Sequence, residues 1–177
     1  MPKITEIYPT PNPNAMRFEL NDYLTNGEPY SFENISEAEN DVLAKNLFSV
    51  NGVTNVYYLS NFITVTQNGS RDWSELLREV APFIREAKKR EPKLEEYNSS
   101  KNDDPRLQEI THILSTEVLP YLMMDGGGLD IIGLDDNILF IHYQGACNSC
   151  SISGGATLMS IESVIRSHFP EIRVKTI

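Results

Sequence analysis

The chain has 177 residues, 40% of them hydrophobic, with 15 Lys and Arg against 25 Asp and Glu, for a formal net charge of −10. That length supports one compact domain or two small ones with modest cores. The charge argues against a phosphate backbone as partner, because nucleic-acid binding rests on cationic surface. No apolar run approaches the roughly 20 residues of a membrane span. The start, Met1-Pro2-Lys3-Ile4-Thr5-Glu6, has neither a signal-type apolar region nor the Arg-rich, acidic-poor character of a transit peptide. The expectation is a cytoplasmic protein with no nucleic-acid partner and no membrane partner. Two cysteines cannot staple a secreted fold, and a lone Cys-x-x-Cys fits a reducing compartment.

Ile4 to Tyr8 reads as a short strand, and Pro9-Thr10-Pro11-Asn12-Pro13-Asn14 as a fixed loop of turn formers. Ala15 to Leu20 alternates, with Met16, Phe18 and Leu20 on one face, as a half-buried strand should. After a polar stretch, Ser36-Glu37-Ala38-Glu39 has the form of a capping box opening a helix that buries Val42, Leu43 and Leu47. Val53 to Leu59 and Phe62 to Thr66 predict a hairpin across Ser60-Asn61. Asp72 then caps a second helix, whose stripe of Trp73, Leu76, Leu77, Val80, Phe83, Ile84 and Ala87 predicts a core face with Pro82 as a kink. Trp73 reads as core rather than ligand-stacking. These elements make an α/β domain over residues 1–90.

Residues 91–103 turn polar and charged and read as a flexible linker. Asp104-Pro105 is a cap followed by proline at the first helical position, and Leu107, Ile110, Ile113, Leu114 and Val118 carry a helix up to Pro120. Asp125-Gly126-Gly127-Gly128 is a stop, with Gly126 and Gly127 in a helix C-terminal turn that needs positive φ. Leu129 to Leu134 and Ile138 to Tyr143 predict a second hairpin across Asp135-Asp136-Asn137, running straight into Gly145-Ala146-Cys147-Asn148-Ser149-Cys150. Leu158, Ile161, Val164, Ile165 and Phe169 recur at helical spacing. Ile172, Val174 and Ile177 suggest a closing strand. The fold class is α+β: two small domains, the second (104–177) ordered helix, strand, strand, Cys-x-x-Cys loop, helix, strand.

Cys147 and Cys150 carry the chemistry. Two thiolates two residues apart can clamp one edge of a metal centre or close a small redox disulfide. A following helix N-terminus favours the thiolate form. A structural zinc needs four ligands, and the chain offers no second Cys-x-x-Cys and no close His pair. A thioredoxin-like pair belongs in a longer βαβ context than the hairpin supplies. His142 reads as a surface or edge histidine on the face opposite Ile141 and Tyr143. His112 and His168 read as solvated or packed helix residues, and Met123-Met124 as core or interface filling rather than soft-metal ligands. Gly145, Gly154 and Gly155 read as support for the loop, not as ligands. No Walker loop, Ser-His-Asp set or paired carboxylate stands out, so no enzyme is expected.

Asp125-Gly126-Gly127, the hairpin, and Gly145-Ala146-Cys147-x-x-Cys150 with Thr157-Leu158 resemble the C-terminal domain of the NifU-like (Nfu) iron–sulfur cluster carriers. The N-terminal half is similar to the Nfu N-terminal domain. That match rests on Pro11-Asn12-Pro13-Asn14-Ala15-Met16-Arg17-Phe18, on Leu47-Phe48-x-Val50-x-Gly52-Val53, and on Phe62-Ile63-Thr64-Val65-Thr66. The resemblance covers nearly the whole chain, and implies that Cys147 and Cys150 of two subunits share one cluster, 4Fe-4S more often than 2Fe-2S, received from an upstream donor and delivered to apo-proteins. Ligand counting agrees: a 4Fe-4S cluster takes four thiolates, one chain has two, and a homodimer completes the set. The chain departs from the family with Gly128 in place of a further Asp and with Ser151 in place of Pro, which implies looser loops. A thiol–disulfide oxidoreductase is the alternative function.

Overall fold

The computed structural model describes residues 2–90, 104–148 and 154–177. The linker 91–103, Cys150 and Ser151 lie outside the described residues. The chain divides into two compact units, Met1–Pro92 and Lys93–Ile177, both of mixed α and β structure.

In the first unit, β1 (Ile4–Pro9), β2 (Ala15–Leu20), β3 (Tyr30–Phe32), β4 (Val53–Leu59) and β5 (Phe62–Gln67) form an antiparallel sheet in the order β1-β2-β5-β4-β3. β3 carries no sequence signal: three residues are too few to show a period. It is held by pairing with β4, Ser31 opposite Tyr57. The helices α1 (Val42–Phe48) and α2 (Trp73–Arg85) place Ala44, Leu47, Leu76, Val80 and Ile84 in one core with Phe18, Val56, Tyr58, Ile63 and Val65. α2 starts as expected, the Asp72 carboxylate accepting from Ser74 N–H at 2.7 Å, and it runs through Pro82. The proline loop is fixed by Asn12, whose side chain accepts from Asn14 N–H, and by Trp73, whose Nε1–H donates to Pro13 O at 3.1 Å.

The capping expectation at Ser36 is wrong. The cap of α1 is Asp41, which accepts from Ala44 N–H at 2.8 Å, and Val42 is 78% exposed rather than core. Glu37 instead closes a separate turn with Asn34 and accepts from Glu33 N–H. Asp41 wins because its carboxylate has three claims on it: the helix N–H, the Tyr58 hydroxyl, and the Arg90 guanidinium at 2.9 Å, itself stacked 4.4 Å over the Tyr30 ring. Burying a carboxylate is costly unless it is paired and hydrogen-bonded, and these three contacts meet that cost.

In the second unit, Asp104 accepts from Arg106 N–H at 2.9 Å just ahead of α3 (Arg106–Ile113), whose N-cap position is Pro105 rather than the expected Asp104. The helix does not end at Pro120. A π turn, Leu114–Val118, leads into α4 (Leu119–Met124) with Pro120 in its first turn. Proline lacks an N–H and its ring would strike the carbonyl four residues back, and a π turn absorbs that conflict by widening the helix locally. β6 (Gly127–Asp135) and β7 (Ile138–Gly145) pair antiparallel across a two-residue turn with φ of 46° at Asp136 and 76° at Asn137. Both values positive is the turn that matches strand twist. α5 (Gly154–His168) then crosses to β8 (Arg173–Thr176), which lies parallel to β7. β7, α5 and β8 therefore form a βαβ unit, the context the sequence reading denied to the cysteine loop. Parallel pairing has no local signature in the sequence, since it depends on where the chain returns after the helix. Leu139, Ile141, Ile161, Ile165, Ile172 and Val174 meet in the core, whereas Ile177 is 64% exposed.

Candidate functional site

The site is the loop leaving β7. Gly145 takes a φ of +63°, which turns the chain out of the strand. Ala146 N–H donates to Gly126 O at 3.2 Å and Asn148 N–H to Gly145 O at 3.2 Å, so the loop is clamped against the turn that ends α4. That turn is made by Gly126, with a φ of +76° and its N–H on Met123 O at 3.1 Å.

Gly127 has a different role from the one its sequence context suggests. It is the first residue of β6, opposite Gly145, and its φ is not positive. A Cβ there would lie 2.4 Å from Cys147 Sγ, 3.1 Å from Cys147 Cβ and 2.8 Å from Gln144 O. The glycine is bare because the Cys147 thiol rests on it. Cys147 is a half-buried cysteine packed on the second core. The thiol thus has a rigid floor of backbone beneath it.

Pairing also says which groups share that floor. In antiparallel strands, directly opposed residues project from the same face, and every second pair repeats it. Gly127 pairs with Gly145, Leu129 with Tyr143 and Ile131 with Ile141. Tyr143 therefore projects from the face on which Cys147 Sγ sits. Its side chain is 8% exposed. Burial first, and the Cys147 charge second, push its phenol up to about 12. Burial also raises the Asp125 carboxyl at the end of α4.

The histidines do not converge on the thiol. His142 alternates to the other face and its Nδ1 lies 2.9 Å from Ile177 O. His168 Nε2 is 3.6 Å from Glu117 Oε1 at the π turn, and His112 is an exposed residue in the last turn of α3. Met124 is 74% exposed, so it fills no core in this unit. Among the described residues no three His, Cys, Asp or Glu side chains gather as a complete metal site. Sequence reasoning singled out Cys147 and Cys150 but passed over Tyr143, which looked like one more apolar strand position. The paired glycines at 127 and 145 were the available sign of a close approach.

Residues 4–91 match the family model described as scaffold protein Nfu/NifU N terminal, and residues 110–175 match that of the NifU-like domain. The chain belongs to the NifU-like Nfu family. A curated Nfu relative, the "NFU1 iron-sulfur cluster scaffold homolog, mitochondrial" of Drosophila willistoni, is 28% identical over 175 residues, covering 92% of this chain and 59% of that protein. The homolog of the same name in Drosophila sechellia is 29% identical over 171 residues, covering 92% and 60%. The chain thus spans about three fifths of the length of the curated relatives it matches. The solved NifU-like protein from Saccharomyces cerevisiae aligns with 46% of this chain and 74% of its own at 20% identity and a TM-score of 0.42. Among the described residues of this Nfu chain, no helix is long and apolar enough to cross a membrane.

Proposed function

We propose that the chain is an iron–sulfur cluster scaffold and carrier: it binds a cluster, 4Fe-4S rather than 2Fe-2S, through Cys147 and Cys150 of two subunits, and passes it to apo-proteins. The observation that carries this reading is the Cys147 thiol seated on bare Gly127 in a loop clamped to the end of α4. A thiol fixed in this way meets an incoming iron with little ordering left to do, and preorganisation of that kind favours binding. The cargo is inferred from the relatives, whose names call them iron–sulfur cluster scaffold homologs.

The cluster is cargo, so the site must also release it. One chain contributes two thiolates and a 4Fe-4S cluster takes four, so a homodimer joined mainly through the cluster completes the set. A cluster held at such a junction is open to thiolates of a client, which can replace the subunit ligands one at a time. No turnover of the chain's own is required. The reading includes an upstream donor, a reducing compartment for which the cytoplasm is the default, and a division into domains at 1–90 and 104–177 around the linker.

Anaerobic reconstitution with iron and sulfide, with iron, sulfide and mass by light scattering measured on the same samples, tests it. The expected product is a brown dimer with four irons per two chains, from an apo-protein that is largely monomeric. A monomer holding four irons refutes the bridging, and a dimer with two points to 2Fe-2S. The βαβ context of the loop favours one second reading, a thiol–disulfide oxidoreductase. That protein stays colourless and reduces disulfides catalytically in the same preparation.

A further inference from the structure

We propose that the Tyr143 hydroxyl is a hydrogen-bond donor to a sulfur of the cluster that Cys147 holds. The inference rests on the proposed function and concerns a residue beyond its ligand set.

The Tyr143 oxygen is inaccessible to solvent and has no hydrogen-bond partner among the described residues. Buried hydroxyls almost always have one, because an unsatisfied donor is destabilising. Leu or Ile would fill the same strand position without that penalty, as at Leu139 and Ile141 on the same face of β7. The hydroxyl therefore calls for an acceptor that arrives with a ligand.

Its position names that acceptor. Cys147 Sγ lies over Gly127, and Gly127 and Tyr143 are diagonal neighbours on one face of the β6–β7 ladder. Such neighbours stand roughly 7 to 8 Å apart between backbones, within the reach of an aromatic side chain. Tyr143 and Cys147 also pack against the same core. A phenol keeps its proton throughout the neutral range, so the group is a donor wherever the cluster binds. Cluster sulfurs carry negative charge and accept such bonds. Donors to them stabilise the bound cluster and raise its reduction potential, since the reduced form is the more negative.

The test compares the full-length wild type with Tyr143→Phe, which keeps the ring and removes only the hydroxyl. The apo-variant should unfold at the temperature of the wild type or somewhat above it, because the lost hydroxyl was a buried donor without a partner. After reconstitution both should carry the same iron and sulfide. The variant should then release iron to a chelator about twofold to tenfold faster, the range of one hydrogen bond, and show a more negative midpoint potential. Equal release rates and equal potentials overturn the inference while leaving the proposed function standing. An apo-variant that unfolds much earlier also overturns it, by showing that the hydroxyl has a structural partner. A wild type that takes up neither iron nor sulfide removes the proposed function and this inference with it.

Discussion

Replacing Gly127 by Ala probes the floor of the site. The new Cβ would stand 2.4 Å from Cys147 Sγ and 2.8 Å from Gln144 O. Rotating the cysteine relieves the first contact, but the second is to backbone within the β6–β7 pairing, one pair from its end, and has no rotamer to change. Overpacking of this kind destabilises by about 1–3 kcal/mol. For a unit of this size, each kcal/mol lowers the melting temperature by roughly 4–8 °C. The expected result is a fall of at least about 4 °C in the apo-protein, together with loss of most reconstituted iron, because the thiol is driven off its seat. Differential scanning calorimetry with iron analysis reads both effects. Gly155→Ala is the control: nothing lies within 4 Å of its added Cβ and it sits in the first turn of α5, so it should raise stability by up to about 0.5–1 kcal/mol. A second comparison separates the two clashes. Adding Cys147→Ala to Gly127→Ala should recover part of the lost stability but not all, since the Gln144 contact remains. If Gly127→Ala melts with the wild type and keeps its iron, the seat is not what holds the thiol.

Cys147→Ala and Cys150→Ala should each abolish cluster binding while circular dichroism of the apo-protein stays unchanged; a variant that keeps full iron is not missing a ligand. In the first unit, Asp41→Ala leaves the Tyr58 hydroxyl and the Arg90 guanidinium without their shared acceptor and uncaps α1, so urea unfolding should show a loss of about 3–5 kcal/mol. A loss below about 1 kcal/mol would mean that solvent replaces the carboxylate. Alkaline pH should weaken both units. Tyr58 is raised by burial and by its bond to Asp41, and Tyr143 up to about 12 by burial and the Cys147 charge. Unfolded tyrosines lose their protons near pH 10 while these two keep theirs, so the unfolded state binds fewer protons and stability falls as pH rises. Each contribution is complete below pH 10 and declines by about 1.4 kcal/mol per pH unit above it, ending near pH 12 for Tyr143. Tyr58→Phe should flatten the decline in the first unit, and a slope identical to wild type would refute the assignment.

The sequence by itself determined the elements whose side chains are periodic and whose ends are chemically marked. The stripe of Leu76, Val80 and Ile84 with Asp72 before it could be nothing but a capped amphipathic helix. Asp135-Asp136-Asn137 between two apolar runs could be little but a hairpin turn, which strand pairing then narrowed to Asp136-Asn137 by taking Asp135 into β6. The two cysteines stood out as the candidate site because no packing argument explains such a pair. Tertiary structure decided the rest, and in each case the deciding contact is remote in sequence. Asp41 rather than Ser36 caps α1 because Tyr58 and Arg90, 17 and 49 residues downstream, both reach its carboxylate. The helix survives Pro120 because Leu114, Val118 and Leu122 all reach the core and the π turn keeps them facing it. Gly127 is glycine because a thiol 20 residues further along comes to rest upon it. Tyr143 stands apart from its apolar neighbours on β7 only once the pairing of Gly127 with Gly145 puts its face under that thiol. Local propensity records what a residue does to its own backbone, and only the folded chain determines which distant atom shares its space.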